Sequence, residues 1–137
     1  MDSEDRNIAA LRRVYDEWGR GNWRPWFEIY GPDMEWEWSP EFPDIHGRTS
    51  DPEVASSRLR EFLSQFDDWQ ASAERLIPSG DKVVVFTRYI GSGKGSGAGV
   101  DVQGAHVWTL RGGRAVLLQI FSDRRRALDA AGLPADS

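Results

Sequence analysis

Residues 81–132 constrain the fold of this chain more than any other stretch. Residues 83–90 form an apolar, β-rich run, the glycine- and serine-rich tract 91–99 interrupts it, and residues 100–110 resume as a second run. Gly112-Gly113 then lead into residues 115–121, followed by Ser122, Asp123 and a helical tail that opens with Arg124-Arg125-Arg126. A Gly-Gly pair between alternating segments predicts a two-residue hairpin, because a type I′ turn needs φ > 0 at both central positions. Three antiparallel strands are expected here, with an acid, Asp123, at the exit of the last.

The rest of the chain supplies what such a sheet must be covered with. Ile8, Leu11, Tyr15 and Trp18 recur at spacings of three and four, the period of an amphipathic helix that Gly19 and Gly21 end. Trp23, Trp26, Phe27 and Tyr30 keep helical spacing after Pro25, which predicts a short second helix over 22–30. Met34, Trp36 and Trp38 alternate with Glu35 and Glu37, so a strand with one buried face is expected, stopped by Pro40 and Pro43. Asp51-Pro52, or Ser50 with Glu53, caps a further helix whose apolar face is Ala55, Leu59, Phe62, Leu63 and Phe66. A strand over 69–77 then precedes the three already described. Helices segregated from a meandering sheet make this an α+β chain.

At 137 residues the chain has the length of one domain, large enough to bury a sizeable core. With no cysteine, disulfides, thiolate metal sites and a cysteine nucleophile are excluded. No apolar run approaches a membrane span and no signal pattern opens the chain, so a cytoplasmic protein without a membrane partner is expected. A formal net charge of -5 argues against nucleic acid as a partner. Seven Trp, six Phe and three Tyr exceed what a minimal core of this size requires, and the surplus lines either a cavity or a bulky interior.

Few residues are available for chemistry. Gly93-Lys94-Gly95-Ser96-Gly97-Ala98 matches a dinucleotide fingerprint, but a strand and not a helix follows it, so the tract is read as a hairpin loop. The two histidines, His46 and His106, lack metal-ligand spacing, and no metal or other cofactor is expected. His106 shares a strand face with Val102, Gly104, Trp108 and Leu110, where a histidine is either a satisfied core group or a polar group facing a pocket. Asp123 either caps the tail or faces the pocket with Gln119 and Phe121.

The run Ala105-His106-Val107-Trp108-Thr109-Leu110-Arg111-Gly112-Gly113-Arg114, with Phe121-Ser122-Asp123 and Ala127-Leu128-Asp129-Ala130-Ala131-Gly132-Leu133, resembles the C-terminal half of SnoaL-like proteins of the nuclear transport factor 2-like superfamily. Gly21-Asn22-Trp23, Tyr30-Gly31-Pro32-Asp33-Met34-Glu35-Trp36 and Phe66-Asp67-Asp68-Trp69 agree with it, so the likeness spans roughly residues 5–133. The resemblance implies a cone-shaped fold in which a bent antiparallel sheet wraps the N-terminal helices. Isomerases, cyclases, dehydratases, epoxide hydrolases and proteins without chemistry share that fold.

On this resemblance the pocket wall is expected from Tyr15, Trp18, Trp36, Trp38, Leu59, Phe62, Trp108 and Phe121, with His46 at the rim. His106 and Asp123 are the expected catalytic pair, within roughly 6 Å or one bridging water of each other, and Gln119 and Tyr89 support them. The ketosteroid isomerase pattern is broken, since Val14 falls where that family has its oxyanion tyrosine and Trp38 where it has its proton-shuttling aspartate. Epoxide hydrolases place an arginine between two aspartates, and Arg88 is the available arginine here. Two functions follow: cofactor-independent acid/base catalysis on an apolar cyclic metabolite, or a binding or dimerisation module of the same fold. A homodimer is expected, because Leu128 and Leu133 of the tail need partners.

Overall fold

A computed structural model describes residues 3–20, 30–42, 47–64 and 66–136. In chain order the elements are α1 (Ser3–Gly19), β1 (Tyr30–Trp38), β2 (Gly47–Thr49), α2 (Pro52–Leu63), β3 (Phe66–Ser79), β4 (Lys82–Gly93), β5 (Gly99–Arg111), β6 (Arg114–Phe121) and α3 (Arg124–Ala130). The helix expected over 22–30 falls, but for Tyr30, outside the described residues, as do His46 and the side chain of Phe62.

Local chemistry sets the joints. Gly112 and Gly113 take φ of 60° and 78° between the paired Arg111 and Arg114, the left-handed turn that the Gly-Gly pair predicts. Asp51 is the cap of α2: its carboxylate accepts from the Glu53 amide at 2.9 Å, with Pro52 in the first helical position where no amide hydrogen is needed. The glycine tract is a hairpin, tighter than expected, since β4 runs on to Gly93 and β5 starts at Gly99.

The sheet is curved and unclosed, in the order β2-β1-β6-β5-β4-β3. Its pairs are antiparallel except β1–β6, which run parallel, against the expectation of an antiparallel sheet throughout. Because residues 39–113 separate those two strands, no hairpin dictates their relative direction. On the concave face Leu11, Val14, Tyr15 and Trp18 of α1 pack against Met34, Trp36, Trp38, Val83, Val85, Trp108, Leu110 and Leu118. Trp36 and Trp38 are buried, whereas Glu35 and Glu37 turn outward to Arg48, as the alternation requires.

Behind the sheet, α3 closes a second core on Val84, Ala105 and Val107. Arg124 fastens it: the guanidinium donates to the carbonyls of Gly104 and Thr87 at 3.1 and 2.9 Å, pairs with Glu74 and lies 4.7 Å over the Phe86 ring. The first arginine of the basic run is therefore structural. Leu128 is buried in this intramolecular core, with Leu133 packed against it, so neither is left for a dimer partner. No described helix is long and apolar enough to cross a membrane.

Candidate functional site

Strand period places alternate side chains of five strands on the concave face, where the core stops short of filling the space. A cavity of about 310 Å³ remains. Trp18 of α1, Trp36 and Trp38 of β1, Phe42 of the turn after it, and Leu59 of α2 form one side. Phe66, Ala71, Val100, Val102, Gly104, Leu118, Ile120 and Phe121 of the sheet form the other. Tyr89 and His106 bring polar side chains; Gln103, whose side chain strand alternation turns to the other face, and Ser122, whose hydroxyl donates to Glu41, complete the lining, and no Asp, Glu, Lys or Arg is among the described lining residues.

His106 is the chemical centre of this wall. β5 pairs it with Val85 on one side and Ile120 on the other, so its ring is held between two apolar strands. Both ring nitrogens are occupied: Nδ1 lies 2.5 Å from the Tyr15 hydroxyl and Nε2 lies 2.6 Å from the Tyr89 hydroxyl. The Trp108 indole donates to the same Tyr15 oxygen at 2.9 Å. Trp18 meets the imidazole edge-on, with centroids 6.3 Å apart. Burial without a counter-charge disfavours the imidazolium and pulls the His106 pKa down to about 3. Burial also pushes the Tyr89 phenol up to about 12, with the Thr87 hydroxyl pulling the other way though it forms no well-aligned hydrogen bond, and it pushes Tyr15 well above the ordinary phenol value. At neutral pH the network is uncharged.

A profile of the SnoaL-like domain matches residues 11–118. This chain belongs to the SnoaL-like domain family. Among curated proteins none matches the sequence. A candidate SnoaL-like polyketide cyclase from Jannaschia sp. CCS1 superposes with a TM-score of 0.75 at 24% identity, over 98% of this chain and 96% of that one. AclR, a candidate hydroxylase from Streptomyces galilaeus, gives 0.74 at 16% identity over 96% and 100%. TerC, co-crystallised with polyporic acid, gives 0.73 at 19% over 93% and 98%. At these identities the likeness shows the fold alone.

Within this SnoaL-like domain, the expected wall residues Trp18, Trp36, Trp38, Leu59, Tyr89, His106 and Phe121 do meet around the cavity. Tyr15 and Trp108 do not line it; they lie beneath, in the core, and reach the cavity only through His106. Gln119 points to the opposite face and donates to Glu37 at 2.9 Å. The cause is a β-bulge. Carried on from Arg111↔Arg114, the turn's register would set Gln119 opposite His106, but the pairing slips by one residue between Thr109 and Leu110 and brings Ile120 there instead. That slip also explains why Leu118 and Ile120, absent from the expected wall, belong to it.

Asp123 is corrected as well. It is exposed, caps α3 by accepting from the Arg125 amide at 2.9 Å, and does not line the cavity. Its pairing with His106 is replaced by the two tyrosines. Arg88 forms a two-pronged pair with Asp101 on the outer face, at 2.8 and 2.5 Å, away from the cavity lining. Glu41, which sequence reasoning missed, accepts from the Ser122 hydroxyl at 2.7 Å and from the Asp123 amide at 3.2 Å, tying the turn that carries Phe42 to the start of α3. The described residues hold no group of three or more metal-ligating side chains.

A capping role sets the outcome of substitution. Asp123→Ala is expected to lower stability by about 1 kcal/mol and Asp123→Asn by a few tenths, with ligand binding unchanged in both. Urea midpoints of the three proteins measure this directly.

Proposed function

We propose that the cavity is a binding site for a compact, apolar, cyclic small molecule whose one polar atom meets Tyr89. The observation that carries this reading is the uncharged Tyr15–His106–Tyr89 network ending in an otherwise apolar cavity. A volume of about 310 Å³ lies at the small end of ligand pockets, roughly 300–1,000 Å³, and suits fused rings better than an extended chain. The bound partners named for the fold relatives, such as polyporic acid, accord with this reading.

Acid/base catalysis is the less favoured of the two readings. A neutral imidazole with both nitrogens engaged does not remove a proton from a ligand, and the described lining holds no carboxylate to do so. Binding, with polarisation of one ligand atom, uses every polar group in the network.

Thermal unfolding with a panel of naphthoquinone, tetralone and fluorenone tests the reading. At ten times the dissociation constant a binder adds about 1.4 kcal/mol, which raises Tm by about 4 °C for a chain of this size. Ala71→Phe, which fills part of the cavity from β3, should remove the response. A panel that stabilises neither protein would leave the reading without support. Homodimer assembly belongs to the same proposal, now resting on the outer sheet face, where Ile90 is exposed beside the Arg88–Asp101 pair. Sedimentation of a monomer at micromolar concentration would reject it.

A further inference from the structure

Among the described residues three arginines are half-buried, Arg58, Arg88 and Arg124, and two of them have their charge met by a carboxylate. Asp101 pairs with Arg88, and Glu74 with Arg124. Arg58 differs: no carboxylate of the described residues forms an ion pair with it, not even Glu61, which stands one helical turn further along α2. Its position is fixed all the same. Helical spacing sets Arg58 on the side of α2 that carries Ala55, which is fully buried, and Leu59, which lines the cavity. There the guanidinium carbon lies 5.6 Å from the centroid of the Trp38 ring, another cavity residue, and Nη1 donates to the Gly47 carbonyl at 3.2 Å. A guanidinium carries five N–H donors, so a single carbonyl leaves most of the fork open to a further acceptor. A charge held this close to an apolar wall is ordinarily matched by an opposite one.

We infer that Arg58 is the anion-recognising residue of this site and that the ligand supplies the missing counter-charge, as a carboxylate on a short arm that stays at the α2 edge while the ring enters the cavity. The inference rests on the pocket reading above and adds a charged arm, outside the cavity, to the ring that fills it. A planar guanidinium meets a carboxylate through two parallel hydrogen bonds, the arrangement that Arg88 and Asp101 already form on the outer face. The contacts with Trp38 and Gly47 hold a long side chain in place before the ligand arrives, so less rotamer freedom is lost on binding. No Asp or Glu among the described lining residues opposes an incoming anion. An ammonium on the same arm would meet a like charge instead.

Three probes with one ring and nearly one shape decide the matter at neutral pH: 2-naphthylacetate, 2-naphthylacetamide and 2-naphthylethylamine, which are anionic, neutral and cationic. The acid should bind about tenfold more tightly than the amide, and the amine should bind most weakly. Added salt should shrink the gap between acid and amide, since it screens a partly exposed charge pair. Arg58→Gln should bring acid and amide within about twofold of each other by weakening the acid alone. Arg58→Lys, which keeps the charge and loses the fork, should retain part of the preference. Arg60→Gln makes the same change of charge at an exposed position of α2 and should leave the preference intact. A merely structural Arg58 would weaken acid and amide alike on substitution by Gln, and that result overturns the inference. Equal binding of acid and amide to the unmodified protein also overturns this inference alone. Binding of none of the three overturns the pocket reading and this inference with it.

Discussion

Trp108→Ala is expected to cost about 3–5 kcal/mol, the range for deleting a buried aromatic side chain. Trp108 is fully buried between Val83 and Leu118, on strands that pair with β5 from both sides, so neighbouring backbone cannot collapse into the space. The loss also removes the donor on which Tyr15 depends. Trp108→Phe keeps most of the volume and loses only the indole N–H, so its cost should be well under half as large. Urea unfolding orders the two variants, and a cost for alanine below about 2 kcal/mol would mean that the concave core is less closely packed than its burial implies.

Those long contacts mark the boundary of what the sequence discloses. Gly112-Gly113, Asp51-Pro52 and the Trp36/Trp38 alternation are local signals, each fixed by backbone chemistry within a few residues, and each predicts its element correctly. Tyr15 and Trp108 are 93 positions apart, and nothing in either neighbourhood announces that they share a hydrogen bond. Periodicity placed both on inward faces and stopped there, unable to separate the layer beneath His106 from the layer around the cavity. The β6 residues failed for a different reason. One extra residue in a bulge reverses which side chains face inward, so Gln119 exchanged faces with its neighbours although the strand itself was legible. Asp123 had two readings with the same local signature, a strand exit before a helix. The cap prevailed because a carboxylate in that position satisfies a helix amide without leaving water.

Acid should destabilise the fold through His106. The folded pKa is lowered to about 3, while the unfolded chain keeps the ordinary value of 6.5, so between those limits the unfolded state binds the extra proton. Stability is therefore complete above about pH 6.5 and falls by about 1 kcal/mol for each unit below it, until the folded imidazole itself protonates. Through His106 alone the wild-type protein should lose about 2 kcal/mol between pH 7 and pH 5. His106→Gln keeps a polar side chain that does not titrate. It should begin less stable at pH 7, because Tyr15 and Tyr89 lose an imidazole placed to meet both, yet show a flatter profile from pH 7 to pH 5. Every other titratable group is common to the two proteins, so the difference between the profiles isolates residue 106. Parallel profiles would mean that the imidazolium is accommodated in the folded state, against the burial of His106 among aromatic neighbours with no acidic residue among the described cavity lining.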